Sequence, residues 1–317
     1  MTARRRIPWR RRAQPPGAGG LARRAALHVA WRLGRRYGFD VVRRTVYSPL
    51  PDVPGPDDPI WSRTASGLAI DCERQFGLLE GELAPWVEEF GREVRGDGFE
   101  LWNGYYAAGD AETLYALLRH LRPRRVLEIG SGFSTYVSAA ACAANARDGA
   151  PAELVAVDPE PRTELREGIP GLSRIELRDC RELPLDRFDA LEPGDVLFID
   201  SSHAVKLGSE VNWLLLEVLP RLRPGVYVHL HDIFLPYEYP RYLFELGAAF
   251  SEQYLLHALL LGSDDWEFVL TLCALARADR ERLQRTIPSL AEPVPGMPGF
   301  PYLPSAFWLR RAEGAPR

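Results

Sequence analysis

From Arg125 to Leu309, short apolar runs alternate with stretches of helical periodicity, and this alternation constrains the fold more than any other feature of the chain. Strands separated by helices run parallel and need cover on both faces. The pattern predicts strands at Arg125–Ile129, Leu154–Val157, Arg174–Leu177, Asp195–Ile199, Val226–His231, Trp266–Leu272 and Ala306–Leu309. Ser134–Asn145, Val211–Leu222 and Glu252–Leu261 read as helices, and Pro224-Gly225 stops the second of them. Residues 274–304, rich in Arg, Glu, Pro and Gly, read as an insertion before the last strand. The expected class is α/β, a doubly wound sheet with a helical extension at its N-terminal side.

Three regions are expected: a basic, partly disordered arm over residues 1–47, a linker and helical cap over 48–120, and the sheet domain over 121–317. Residues 1–44 hold 13 arginines and one acid, Asp40, while the remainder carries a net charge of −16. Nucleic-acid affinity comes mostly from neutralised phosphates, so an acidic body makes nucleic acid a poor partner. Within the arm, Leu21 to Tyr37 reads as a helix with Leu27, Val29, Trp31 and Leu33 among arginines. Three readings stand: a solvated arm, a transit peptide, or a peripheral contact with anionic lipid or a protein partner. Residues 68–95 follow as a helix on the spacing of Ile70, Phe76, Leu79, Leu83, Trp86 and Phe90. Asp110 reads as the cap of a helix over Ala111–Leu121 that Pro123 ends. No apolar run approaches the length of a membrane span, and no secretory signal is recognisable. Cys72, Cys142, Cys180 and Cys273 are far apart and form no CxxC pair. A cytoplasmic protein is therefore expected.

The strongest local signal is Val126-Leu-Glu-Ile-Gly-Ser-Gly-Phe-Ser-Thr135, a strand that runs through a glycine loop into a helix. Gly130 and Gly132 allow a tight turn and close approach of backbone to a ligand, with Ser131, Ser134 and Thr135 beside them. Thr135 stands where the third glycine of a dinucleotide loop would fall. Glu128, two places before the first glycine, is expected to turn its carboxylate into the crevice. A carboxylate there repels a diphosphate and suits a ligand with an ammonium and a sulfonium. Asp158 ends the second strand, where an acid can hold both ribose hydroxyls. Asp179 follows the third and could accept from an adenine amino group, or simply be a surface carboxylate or helix cap.

On these motifs residues 121–272 resemble a class I S-adenosylmethionine-dependent methyltransferase. The resemblance implies a Rossmann-like sheet of seven strands whose last strand is antiparallel. It also implies S-adenosylmethionine as cofactor, with Glu128 and Gly130 near its methionine part, Asp158 on the ribose and Asp179 on the adenine. The stretch from Leu197 to Pro240 resembles a group of largely uncharacterised bacterial methyltransferases.

The fourth and fifth strands end in ionisable groups, Asp200 with His203 and His231 with Asp232. Neighbouring strands bring the two carboxylates into one small volume, where they either bind a cation or force one pKa upward. His203 is the expected general base, supported by Asp200, Asp232 and His231. The spacing partly resembles catechol-type, metal-dependent O-methyltransferases. That likeness implies Asp200 and Asp232 as ligands of a divalent cation, with His203 where the catalytic Lys would stand and Ile233 replacing an Asn ligand. His229, mid-strand, reads as a buried core histidine, and Lys206 as a solvated helix residue. Phe234-Leu-Pro-Tyr-Glu-Tyr-Pro240 reads as an aromatic rim over the acceptor, joined by Trp102, Tyr105 and Tyr106. The expected reaction is methylation of a small-molecule or saccharide hydroxyl by in-line displacement. An NAD-type oxidoreductase and a non-catalytic cofactor-binding module are the alternatives.

Overall fold

The computed structural model describes residues 18–39, 48, 50–96 and 99–314. It divides into two compact units, Met1–Asp52 and Val53–Arg317. The first contains helix α1 (Ala18–Arg36), close to the helix read from the sequence, with Val29 and Leu33 exposed. The remaining arm positions, 1–17 and 40–47, lie outside the described residues. Among the described residues no helix is long and apolar enough to cross a membrane.

The second unit is built on seven strands: β1 (Arg125–Ile129), β2 (Glu153–Val157), β3 (Arg174–Glu176), β4 (Val196–Ile199), β5 (Tyr227–Leu230), β6 (Trp266–Thr271) and β7 (Phe307–Arg311). Their order is β3-β2-β1-β4-β5-β7-β6, parallel from β3 to β5, with β7 antiparallel to both β5 and β6. This is the expected Rossmann-like sheet with its last strand reversed. The central strands are buried on both faces, which is why they read as unbroken apolar runs.

The cap and the sheet belong to one compact unit, although the sequence suggested a boundary near residue 120. Helices α2 (Cys72–Leu78) and α3 (Ala84–Phe90) join through a wide turn, Leu79–Leu83, and bury Phe76, Leu79, Leu83, Val87 and Phe90 in the core that also holds Val126 and Trp308. The buried Gln75 Oε1 accepts from both the backbone N–H and the hydroxyl of Thr271 on β6. Helix α4 (Asp110–Leu121) stops at Arg122, whose φ of 47° is left-handed and precedes Pro123. Helix α5 (Phe133–Arg147) follows the glycine loop.

Two expectations about local structure need correction. Gly109, not Asp110, is the cap residue of α4; its N–H donates to Glu112 Oε2 at 2.7 Å, and Asp110 turns inward. The insertion is substantially helical, with Leu272–Ala278 and Arg280–Thr286. Leu272, Leu275, Leu283 and Ile287 are buried in the core, and Asp279 caps the second helix by accepting from the Arg282 N–H. Charged residues on its outer face mask that apolar stripe in the composition.

Candidate functional site

The parallel register assembles the site. Ile129 pairs with Val157 on one side and Ile199 on the other, and Ile199 pairs with Leu230. The residue after each strand therefore falls into one row: Asp158, Gly130, Asp200 and His231. Backbone hydrogen bonds extend the ladder through this row, from Gly130 N to Val157 O at 2.9 Å, Asp200 N to Ile129 O at 2.9 Å and His231 N to Ile199 O at 3.1 Å. Ligands of open α/β sheets bind at this carboxyl edge.

On the β1–β2 side lies a cleft of about 370 Å³, lined by Gly130, Ser131, Asp158, Asp179 and Asp200 together with Cys180, Ser201, Ser202 and Glu210. The volume is within the range of small-molecule pockets, roughly 300–1,000 Å³. Gly130 has φ +91°, and an added Cβ would stand 1.9 Å from the Asp200 carbonyl oxygen, so the crossing of β1 and β4 itself requires glycine. Gly132 differs: its φ of 172° is open to any residue, and an added Cβ would meet no protein atom within 4 Å. Asp158 accepts from the Ser131 hydroxyl at 2.7 Å and from the Glu160 N–H at 2.7 Å, which fixes its carboxylate at the cleft wall with lone pairs to spare.

Glu128 does not enter the cleft. It shares the β1 face with Val126, the face that α5 covers, because side chains two apart on a strand point the same way. It is fully buried, and its Oε1 accepts from the Ser134 hydroxyl at 2.7 Å and the Thr135 hydroxyl at 3.0 Å. Ser134 and Thr135 are thus spent beneath the loop, and Thr135 Oγ1 also accepts from Gly132 N at 3.0 Å. Burial pushes the Glu128 carboxyl up to about 7, and its Oε2 has no hydrogen-bond partner. Asp179 caps the short turn Cys180–Glu182 and is clamped to Arg181, whose bonds hold its carboxyl below the ordinary range.

On the β4–β5 side charge is concentrated and buried. His203 is 7% exposed, with Nε2 at 3.3 Å from Asp200 Oδ1 and 3.6 Å from Asp232 Oδ2, and Nδ1 at 3.0 Å from Glu252 Oε2. Burial alone would depress its pKa, but facing carboxylates outweigh that and raise it to about 10, so the ring is an imidazolium at neutral pH. His231 lies with Nε2 at 3.3 Å from Asp110 Oδ2 and Nδ1 at 3.6 Å from Asp200 Oδ2. Its pKa is also raised, by Asp232 and Asp200 against the cost of burial. Both rings in turn hold Asp200 well below the usual carboxylate range, despite its own burial. Asp232 Oδ1 accepts from the Ser305 hydroxyl at 3.1 Å. His203 and Asp232 both have φ 55°, a conformation that among described non-glycine residues recurs only at Arg122. Such backbone conformations persist where surrounding contacts over-determine them.

Sequence reasoning missed three residues of this cluster. Glu252, Asp110 and Ser305 lie 49, 121 and 74 residues from their histidine partners. Asp110 Oδ1 also accepts from the N–H groups of Ser305 and Ala306, just before β7. Only its position at a helix start was visible in the sequence, and that pointed to a cap.

His229 is the expected core histidine. Its Nε2 lies 2.8 Å from the Tyr106 hydroxyl, the ring stacks on Trp308 at 4.5 Å, and burial keeps it neutral. The aromatic rim is not found. Phe234 and Tyr239 are fully buried, with Gln253 accepting from Phe234 N and donating its own N–H to the Tyr239 hydroxyl. Tyr106 is buried too, and Trp102 packs edge-on against Tyr302. Only Tyr105 is widely exposed, stacked on Phe133 at 6.1 Å. Lys206 lies in the loop before the helix Glu210–Trp213 rather than on it.

The residues of the cleft fit the S-adenosyl ligand that the sequence motif implies. The open space above Gly132, the unpartnered Ser201 Oγ at the cleft wall, and the free lone pairs of Asp158 each leave room or capacity for it. A divalent cation fits less well. Among the described residues no group of three or more His, Cys, Asp or Glu is arranged to hold a metal ion, and Ile233 beside Asp232 is buried and apolar.

Residues 127–233 match the family model of a methyltransferase domain. A protein of Archaeoglobus fulgidus described as uncharacterized is 34% identical over 92 residues, 28% of this chain. The chain spans 41% of that relative's length. Among solved structures, cofactor-bound Rv0187 from MTB is 22% identical, covering 72% of this chain and 89% of its own at a TM-score of 0.32. The apo-structure of CmcI-N160 is 15% identical, covering 64% and 70%, at 0.33. The O-methyltransferase from Bacillus cereus in complex with SAH is 17% identical, covering 58% and 82%, at 0.32.

Proposed function

We propose that this chain is a class I S-adenosylmethionine-dependent methyltransferase that methylates a hydroxyl group of a small-molecule acceptor at the junction of β4 and β5. The observation that carries this reading is the single row Asp158, Gly130, Asp200 and His231, with Asp232 next along the chain. It sets a nucleoside-sized cleft against a buried acid–imidazole cluster at one sheet edge.

S-adenosylmethionine, when bound, supplies an electrophilic methyl carbon. The chain's own groups then divide the work. Asp158 would hold the ribose hydroxyls, and the backbone of Gly130 to Gly132 would hold the methionine part. Asp179, already paired with Arg181, borders the adenine side. In such a transfer the cofactor's sulfonium would serve as both methyl donor and leaving group, keeping the bonding pair of the carbon–sulfur bond. The hydroxyl proton passes to Asp232 Oδ2. That oxygen lies 3.6 Å and 3.8 Å from the nearest nitrogens of His203 and His231, beyond a hydrogen bond to either, and a quarter of the side chain is exposed. His203 was the base expected from the sequence, but an imidazolium has no lone pair to receive a proton. We assign it the task of holding Asp200 and Asp232 in place. Positioning and water exclusion supply much of the acceleration in such a displacement.

The test is transfer of a radiolabelled methyl group to a panel of phenols and saccharides, measured on the wild type and on Asp232→Ala. The reading expects labelled ether product from the wild type and none from the variant, with cofactor affinity retained. Label on nitrogen or carbon acceptors alone would refute oxygen as the target. Cofactor binding with no transfer to any acceptor would favour the non-catalytic module, and NAD binding would favour the oxidoreductase.

A further inference from the structure

We propose that the His203 side chain occupies the place of a divalent cation between Asp200 and Asp232, so that the transfer site works without a metal. The inference rests on the reading of these two aspartates as the transfer site and goes beyond it by fixing what holds them together.

Two carboxylates at the ends of adjacent strands repel each other, and unless one takes up a proton something positive must stand between them. A divalent ion bound to both would need oxygens at about 2.0–2.6 Å and several further oxygen or nitrogen donors. The space offers neither. The Nε2 edge of His203 already stands 3.3 Å from Asp200 Oδ1 and 3.6 Å from Asp232 Oδ2, filling the gap that an ion would occupy. The ring is also pinned from behind. Its Nδ1 faces Glu252 Oε2 at 3.0 Å, and its flank packs on Phe250 at 4.5 Å. Its own carbonyl accepts from the N–H groups of Ser251 and Glu252 at 2.8 and 3.1 Å. Swinging the ring aside to admit an ion would break these contacts together and leave Glu252 buried opposite no positive charge, which is costly.

The other donors in reach are committed elsewhere. His231 turns Nε2 to Asp110, and Asp232 Oδ1 takes the Ser305 hydroxyl proton. Ile233, 1% exposed and apolar, cannot ligate. Two imidazole rings thus stand among four carboxylates, Asp110, Asp200, Asp232 and Glu252, and neutralise part of their charge from within the fold.

The experiment is a titration of the full chain with Mn²⁺, followed by electron paramagnetic resonance, in the presence of S-adenosylhomocysteine. Calorimetry of that nucleoside runs in parallel, so that failure of cofactor binding is seen separately from any result with the ion. The wild type is expected to leave the free-ion signal undiminished up to millimolar protein. His203→Ala, which empties the gap, is expected to bind one ion, and His203→Ala combined with Asp200→Asn is expected to lose it again. Equimolar uptake of Mn²⁺ by the wild type, abolished by Asp200→Asn, would overturn the proposal. Failure of a folded His203→Ala variant to gain the ion would overturn it as well, because the ring would then not be what keeps the ion out. Should that variant not fold, the wild-type titration alone decides.

Discussion

The two halves of the carboxyl edge are built on opposite plans. Around β1 and β2 the groups are open: Gly132 faces unfilled space and Asp158 retains lone pairs. Around β4 and β5 they are closed upon each other: both nitrogens of His203 and both of His231 face carboxylates. An open wall binds something brought to it, whereas a self-satisfied cluster holds its own geometry whether or not a ligand is present. The difference supports the proposed division, recognition in the first half and preorganised chemistry in the second.

The sharpest way to break this division is Asp232→Ala. It should reduce methyl transfer by about 10²–10⁴-fold, the usual contribution of a positioned base. The dissociation constant of S-adenosylhomocysteine should stay within a factor of two or three, in calorimetry beside the radiolabel assay. Equal loss of both would mean that the halves are not separable. Asp158→Ala should do the reverse, weakening nucleoside binding by about tenfold or more, roughly 1.4 kcal/mol. Thermal unfolding should confirm an intact fold.

The glycine pair sharpens the comparison within the open half. Gly130→Ala drives a methyl group into the Asp200 carbonyl at a left-handed position, and should lower stability by at least about 1–3 kcal/mol in chemical denaturation. Gly132→Ala meets no protein atom, so the fold should tolerate it while nucleoside affinity falls. If both variants lost stability alike, the space above Gly132 would not be ligand space.

A smaller effect distinguishes the closed half. The folded pKa of His203 is raised to about 10 against an unfolded value near 6.5, by Asp200 at the end of β4, Glu252 at its helix start and Asp232 at the end of β5. A raised pKa means that the folded state holds the proton more tightly. Its stabilising contribution is complete below about pH 6.5 and declines as pH rises toward 10. The stability gap between wild type and His203→Gln, from urea midpoints, should therefore be larger at pH 6 than at pH 10. A gap independent of pH would show that folding leaves the ring's pKa unshifted, and a gap larger at pH 10 would show that the fold holds the ring neutral.

The same contrast explains what could be read from the sequence. The sheet was legible because buried parallel strands are written as unbroken apolar runs, and Gly130 and Asp158 because they follow those strands directly. Glu128 was visible but misdirected, since its place beneath α5 depends on the alternation of side chains along β1 and on what Ser134 and Thr135 offer there. Asp110 and Glu252 were illegible: each joins its histidine across a long stretch of chain and carries no local signature. The charge of His203 was illegible for the same reason, because it is set by neighbours that spacing does not display. The buried Phe234 and Tyr239 show that aromatics after a strand end can be core as easily as rim.

Calorimetry of the full chain with S-adenosylhomocysteine and with NAD decides whether the open wall binds an S-adenosyl nucleoside as proposed. Saturable one-to-one binding of the first, weakened by Asp158→Ala, is expected, with no heat from the second. Binding of NAD, or no response to S-adenosylhomocysteine from folded protein, would contradict the proposal.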